Sequence, residues 1–171
     1  MNKKILFLSL CFFTPAFGEV LDSDWRLLND TPVPDVETTD PYWNLAWHGK
    51  VASYGDPESQ FFVAQVYEQG KLVPRNLKKA IEFYKKAALQ EHLESCMQLA
   101  KLLPDEAEQW YLMASKLDSP QAQIKLSQLY EKQGKIEDAI LWLEKSLKIM
   151  FPTTDDLTRV SPDLKRLKGL L

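Results

Sequence analysis

The chain has 171 residues, 45% hydrophobic and 26% charged, the size and balance of one ordinary globular domain. Its formal net charge of −3 argues against nucleic acid as a partner, because phosphate binding needs an excess of Lys and Arg. Two cysteines, Cys11 and Cys96, are too few for a disulfide framework, so stability has to come from packing.

Residues 1–18 read as a secretory signal peptide. Lys3 and Lys4 supply the positive start, Ile5 to Phe13 the apolar run, and Pro15 to Gly18 the small-residue cleavage region. The run is shorter than the roughly 20 helical residues that span a bilayer, so no stable membrane span is expected after cleavage. Cleavage would remove Lys3, Lys4 and no acid, leaving 19 bases against 24 acids, and would leave Cys96 as the single cysteine. The expected location is the periplasm or the secreted fraction.

Residues 19–41 form an acidic arm. It holds Glu19, Asp22, Asp24, Asp30, Asp35, Glu37 and Asp40 against one base, Arg26, together with Pro32, Pro34 and Pro41. That composition predicts an extended, solvated segment. Trp25 and Leu28 belong to a small apolar cluster in it, and they would dock on the protein's own repeats or on a partner.

Residues 42–150 carry helical patterning throughout. Asp40–Pro41, Asp56–Pro57 and Ser119–Pro120 each offer a side-chain acceptor followed by a first-turn proline, which marks a helix start. Asn76 caps another segment, Pro104 with Asp105 and Glu106 opens one more, and Gly70 and Gly134 mark ends. These signals predict helices over 42–53, 57–69, 77–90, 92–103, 105–117, 120–133 and 136–149. Residues 151–171 then bring Ser161, Pro162 and Asp163, followed by Leu164, Leu167, Leu170 and Leu171, as a C-terminal capping helix.

Within this region one pattern recurs. A pair of bulky residues followed by small ones appears at Trp47–His48, Phe83–Tyr84, Trp110–Tyr111 and Trp142–Leu143, spaced by 36, 27 and 32 residues. The leading helices keep the same offset: Ser59, Gln60 and Phe61 align with Ser95, Cys96 and Met97, and with Ala122, Gln123 and Ile124. Tandem helix pairs follow, each hiding its apolar side on the next.

The unit from Asp56 to Gln90 resembles a Sel-one-like repeat, a relative of the tetratricopeptide repeat. Asp56, Pro57, Tyr67, Gly70, Val73, Asn76, Ala80, Phe83, Tyr84, Ala87 and Ala88 carry the likeness. Residues 92–117 keep Trp110, Tyr111 and Ala114, and residues 119–149 keep Leu129, Tyr130, Gly134, Ala139 and Leu147 in a plainer tetratricopeptide form. The resemblance implies an all-α fold, a short right-handed α-solenoid of stacked helix hairpins with a concave groove. Secreted bacterial members of the family are mostly adaptors, regulators of envelope machinery or factors in host contact.

The chemistry-bearing residues point away from catalysis. His48 and His92 lie 44 residues apart with no metal-ligand spacing around them, so no metal is expected. No serine stands three residues before a lysine, and no glycine pair is spaced to cradle a phosphate, so no cofactor is expected either. An envelope enzyme acting on cell-wall material or β-lactams is the alternative that these absences disfavour. The expected role is a non-enzymatic scaffold for another protein or peptide segment. If the units pack as the resemblance implies, Phe61, Met97 and Ile124 lie on the concave side, flanked by Gln65, Glu68, Lys101, Gln128 and Glu131. The same three apolar residues would equally serve to complete the core between repeats.

Overall fold

A computed structural model describes residues 41–153, 157–159 and 161–171, with side chains from Asn44 onward. The leader, the acidic arm with Trp25 and Leu28, and the Asp40 cap lie outside the described residues. The chain divides into two compact units, Met1–Ala87 and Ala88–Leu171.

The first unit contains α1 (Pro41–Ser53), α2 (Pro57–Gln69) and α3 (Leu77–Ala88), whose last residue crosses the boundary. Asp56 starts α2 by accepting the Ser59 N–H at 2.7 Å, with Pro57 in the first turn where its missing N–H costs nothing. Gly70 ends it in the left-handed region at φ +69°, donating to the Val66 carbonyl. A β-carbon at Gly70 would stand 2.7 Å from Cβ of Arg75, so the close return of the chain requires glycine there. Asn76 then starts α3, its Oδ1 accepting the Lys79 N–H at 3.1 Å. Leu45, Val63, Ala64, Ala80, Tyr84 and Ala87 are fully buried and form the interior of this unit.

The second unit contains α4 (Leu93–Leu102), a 3₁₀ turn (Pro104–Glu106), α5 (Ala107–Lys116), α6 (Pro120–Lys132), α7 (Ile136–Met150), a second 3₁₀ turn (Leu157–Arg159) and α8 (Pro162–Lys168). Ser119 and Ser161 start α6 and α8 by accepting the N–H groups of Ala122 and Leu164, each ahead of a proline. Leu126, Tyr130, Ala139, Ile140, Leu143 and Leu147 of α6 and α7 share one core with Leu157, Leu164 and Leu167. No strand occurs among the described residues.

Most helix bounds fall within one residue of the sequence reading, and two differ from it by two residues. The helix expected over 77–90 stops at Ala88, because Glu91 adopts φ +63° and reverses the chain. The helix expected from 105 begins at Ala107, the proline and two acids before it closing into a tighter 3₁₀ turn. The start of α4 has a cap that composition does not advertise. Nδ1 of His92 accepts the Ser95 N–H at 3.2 Å and lies 3.0 Å from the Ser95 hydroxyl.

The repeat register has a direct physical expression. Gln60 Nε2 donates to the Ala52 carbonyl at 3.2 Å, Cys96 Sγ points at the Ala88 carbonyl at 4.0 Å, and Gln123 Nε2 donates to the Ser115 carbonyl at 3.4 Å. Each tie spans eight residues and binds the second turn of a leading helix to the orphan carbonyl end of the helix before it. Cysteine makes the weakest of the three, since a thiol is a poor donor.

Candidate functional site

The eight residues expected to face a partner fall in both units. In the first, Phe61, Gln65 and Glu68 follow at three- and four-residue spacing along α2, so they share one side of that helix. All three are half-buried. The Phe61 ring lies 5.7 Å from the Tyr84 ring of α3, and the Glu68 carboxylate accepts the Tyr84 hydroxyl at 2.6 Å. Burial first, then the hydrogen bond and charge of Glu68, hold the Tyr84 hydroxyl protonated well above the usual tyrosine range. Phe61 and Glu68 therefore join two helices of their own unit and keep only part of their surface for anything else.

In the second unit, Met97 and Lys101 share one side of α4, and Ile124, Gln128 and Glu131 share one side of α6. Met97 is half-buried, while Lys101 and Gln128 are exposed, each within 3.4 Å of a side chain on its own helix, Gln98 and Lys125 respectively. Ile124 packs against the α6–α7 core. Glu131 receives both guanidinium nitrogens of Arg166 from α8, at 2.6 and 3.1 Å, a fork that holds its carboxyl below the usual range. Met97, Lys101 and Gln128 thus present the most accessible polar and apolar surface of the five.

Both histidines have structural partners. His48 stacks on Phe62 with ring centres 4.2 Å apart, and its Nδ1 lies 3.1 Å from the Ser59 hydroxyl. Burial lowers its pKa, and the nearby Asp56 charge opposes that shift. His92 caps α4 as described. No cluster of three His, Cys, Asp or Glu side chains able to hold a metal occurs among the described residues. No described helix is long and apolar enough to cross a membrane.

An open hollow of about 280 Å³ is lined by Asp105, Glu106, Glu108, Gln109 and Leu112. Two of its three carboxylates, Glu106 and Glu108, are engaged by the protein itself. Glu106 accepts from Gln109 and from the Trp110 indole, and Glu108 accepts from the Tyr130 hydroxyl at 3.0 Å and from Gln133. These long-range ties escape sequence reasoning, since nothing local pairs residue 108 with residue 130.

Cys96 is fully buried, and burial pushes its thiol up to about 11 from the ordinary 9.0. Two units of pKa leave roughly a hundredfold less thiolate at pH 8 than an open cysteine has, before burial slows access further. Alkylation at pH 8 is expected to be at least two orders of magnitude slower in the folded protein than in denaturant, as measured by mass spectrometry. Comparable rates would place Cys96 at the surface.

The Sel1 repeat family matches residues 57–92, 98–119 and 120–148. No curated protein matches the chain significantly. Among solved structures, a Sel1 repeat protein from Oxalobacter formigenes is similar with a TM-score of 0.60 at 24% identity, over 78% of this chain and 56% of that one. A protective antigen present in uropathogenic Escherichia coli strains, c5321, which displays an SLR fold, is similar with a TM-score of 0.56 at 23% identity, over 77% of this chain and 29% of that one. The chain thus spans about half the length of the first and under a third of the second. At this level of identity the two structures support the fold, an all-α arrangement of repeated helix pairs. With the three matched segments covering most of residues 57–148, the chain belongs to the Sel1 repeat family.

Proposed function

We propose that this chain is a secreted or periplasmic scaffold without catalysis of its own, which holds a segment of another protein against its leading helices in envelope machinery or at a host surface. Sel1 repeats generally mediate protein–protein interaction, which supports the general mode. The observation that carries the reading to particular residues is the repeated eight-residue tie. Gln60, Cys96 and Gln123 are pinned to the preceding helix, and the next residue in each case is Phe61, Met97 or Ile124, half-buried. A side chain fixed by its neighbour's anchor is already ordered, so a partner segment loses less entropy on binding than it would against a mobile loop.

The second unit offers the cleaner test, because Met97, Lys101 and Gln128 have little structural duty. Met97→Glu with Lys101→Glu is expected to lower capture of the partner about tenfold or more in crosslinking of intact cells, as loss of a central contact does. Thermal melting should stay close to that of the parent. Unchanged capture would remove this side of α4 from the binding surface, and a large fall in melting would assign Met97 to the core.

A further inference from the structure

The first unit concentrates positive charge on one side. Between residues 71 and 86 stand Lys71, Arg75, Lys78, Lys79, Lys85 and Lys86 against a single acid, Glu82, in a chain whose net charge is −3. On α3, Lys78 and Lys85 stand seven residues apart and so share one side, with Lys79 and Lys86 alongside; Glu82 lies between them and pairs with Lys86 at 2.8 Å, which leaves the stripe with a net positive charge. Lys71, Arg75, Lys78 and Lys86 are exposed.

Several of these cations are held in place. Arg75 Nε donates to the Glu68 carbonyl at 3.0 Å, which fixes the guanidinium at the last turn of α2. The Tyr67 and Phe83 rings stack 6.2 Å apart, with Lys79 Nζ 5.3 Å from the first ring centre and Lys86 Nζ 4.8 Å from the second. Two ammonium groups are thereby seated over one aromatic pair.

The complementary charge belongs to the same unit. Residues 19–40 carry seven acids and one base, and the chain enters α1 immediately after them, at Pro41. We propose that this acidic segment docks on the basic stretch of residues 71–86 of its own chain, along the bases of α3 and of the loop that leads into it. Twenty-two residues reach about 70 Å when extended, several times the roughly 20 Å length of a 13-residue helix, so every side of the unit is within range. Tethering sets the effective concentration in the millimolar range. Single exposed ion pairs are weak, and it is the set of several at once, seven acids with one base in the arm against six bases with one acid in residues 71–86, that makes the association worthwhile. It is therefore sensitive to salt, whose screening length falls from about 10 Å at 0.1 M to about 3 Å at 1 M. Its side chains are other than those of the partner surface proposed above, which belong to α2, α4 and α6.

Zero-length carbodiimide coupling of the full chain at low salt, followed by peptide mass spectrometry of the monomer, tests it. Amides are expected between Asp or Glu of residues 19–40 and Lys71, Lys78, Lys79, Lys85 or Lys86, falling about fivefold or more in 0.5 M salt. Lys71→Glu with Lys78→Glu should suppress them to a similar extent at unchanged helicity, and adding Asp35→Lys with Glu37→Lys should restore coupling with the direction reversed. Absence of these crosslinks, their appearance only in a covalent dimer, or coupling mainly to lysines beyond residue 88 would overturn the proposal. Binding of the intact chain to phosphatidylserine vesicles that is lost in the same double lysine variant would also overturn it, by assigning the stripe to a lipid surface.

Discussion

Replacing Leu164 and Leu167 together by alanine is expected to detach α8 and to lower the melting temperature by roughly 10–20 °C, the largest stability effect expected in the second unit. A seven-residue helix is well below the 12–15 residues at which an isolated helix becomes marginal in water, so α8 depends on what it covers. Leu164 and Leu167 are 0% and 1% exposed, set into the core formed by Leu126, Tyr130, Ala139, Ile140, Leu143 and Leu147. A buried Leu→Ala change costs about 2–5 kcal/mol, and two in one cluster couple instead of adding. Against a total stability of about 5–15 kcal/mol, that is enough to free the end of the unit. The uncovered face of α6 and α7 is a repeat surface without its neighbour, so concentration-dependent association should follow in light scattering. Arg166→Ala is the control. It breaks the fork to Glu131, but the guanidinium is half-exposed and screened by salt, and melting should scarcely move. A leucine double variant that melts like the parent would show that α8 contributes nothing to the core.

The contrast between those two variants also separates what the sequence makes legible from what it does not. Ser161–Pro162, Ser119–Pro120 and Asp56–Pro57 announce their helices because capping is a contact between residues three apart, and each cap is present in the structure. The alignment of Gln60, Cys96 and Gln123 is legible for a similar reason, since its eight-residue tie repeats at the same offset in every unit. The cap made by His92 is less visible, because histidine is not a customary N-cap residue and acts here through Nδ1. Partners 22 and 35 residues apart, Glu108 with Tyr130 and Glu131 with Arg166, leave no local trace at all. That is why Glu131 and Glu68 read equally well as groove residues in the sequence, while the structure finds each carboxylate committed to a side chain of another helix. Ile124 has the same ambiguity, and its packing against the α6–α7 core favours the structural side of it.

Tyr84 is where structure and candidate site meet most closely in the first unit, and two substitutions there are expected to diverge. Tyr84→Ala removes a fully buried ring and should cost about 3–5 kcal/mol in denaturant unfolding, the usual range for a large aromatic. It also withdraws the ring against which Phe61 leans, so any partner contact made by Phe61 should weaken with it. Tyr84→Phe keeps the ring and loses only the hydroxyl bond to Glu68. Because Glu68 is half-buried and water can take the vacated place, a cost of about 1 kcal/mol is expected. The pH dependence identifies the hydroxyl more sharply than the energy does. Its pKa is raised in the folded chain, so above pH 10 the unfolded tyrosine releases its proton first and the unfolded state gains relative stability. The contribution is therefore full below pH 10 and declines as pH rises beyond it. Tyr84→Phe cannot titrate, and its stability should fall less steeply than the parent's between pH 10 and 12. The shared loss from Tyr130 and Tyr111, which burial also shifts upward, cancels in that comparison. Parallel curves for parent and variant would mean that the Tyr84 hydroxyl is open to solvent, and the link between Glu68 and α3 would be lost with it.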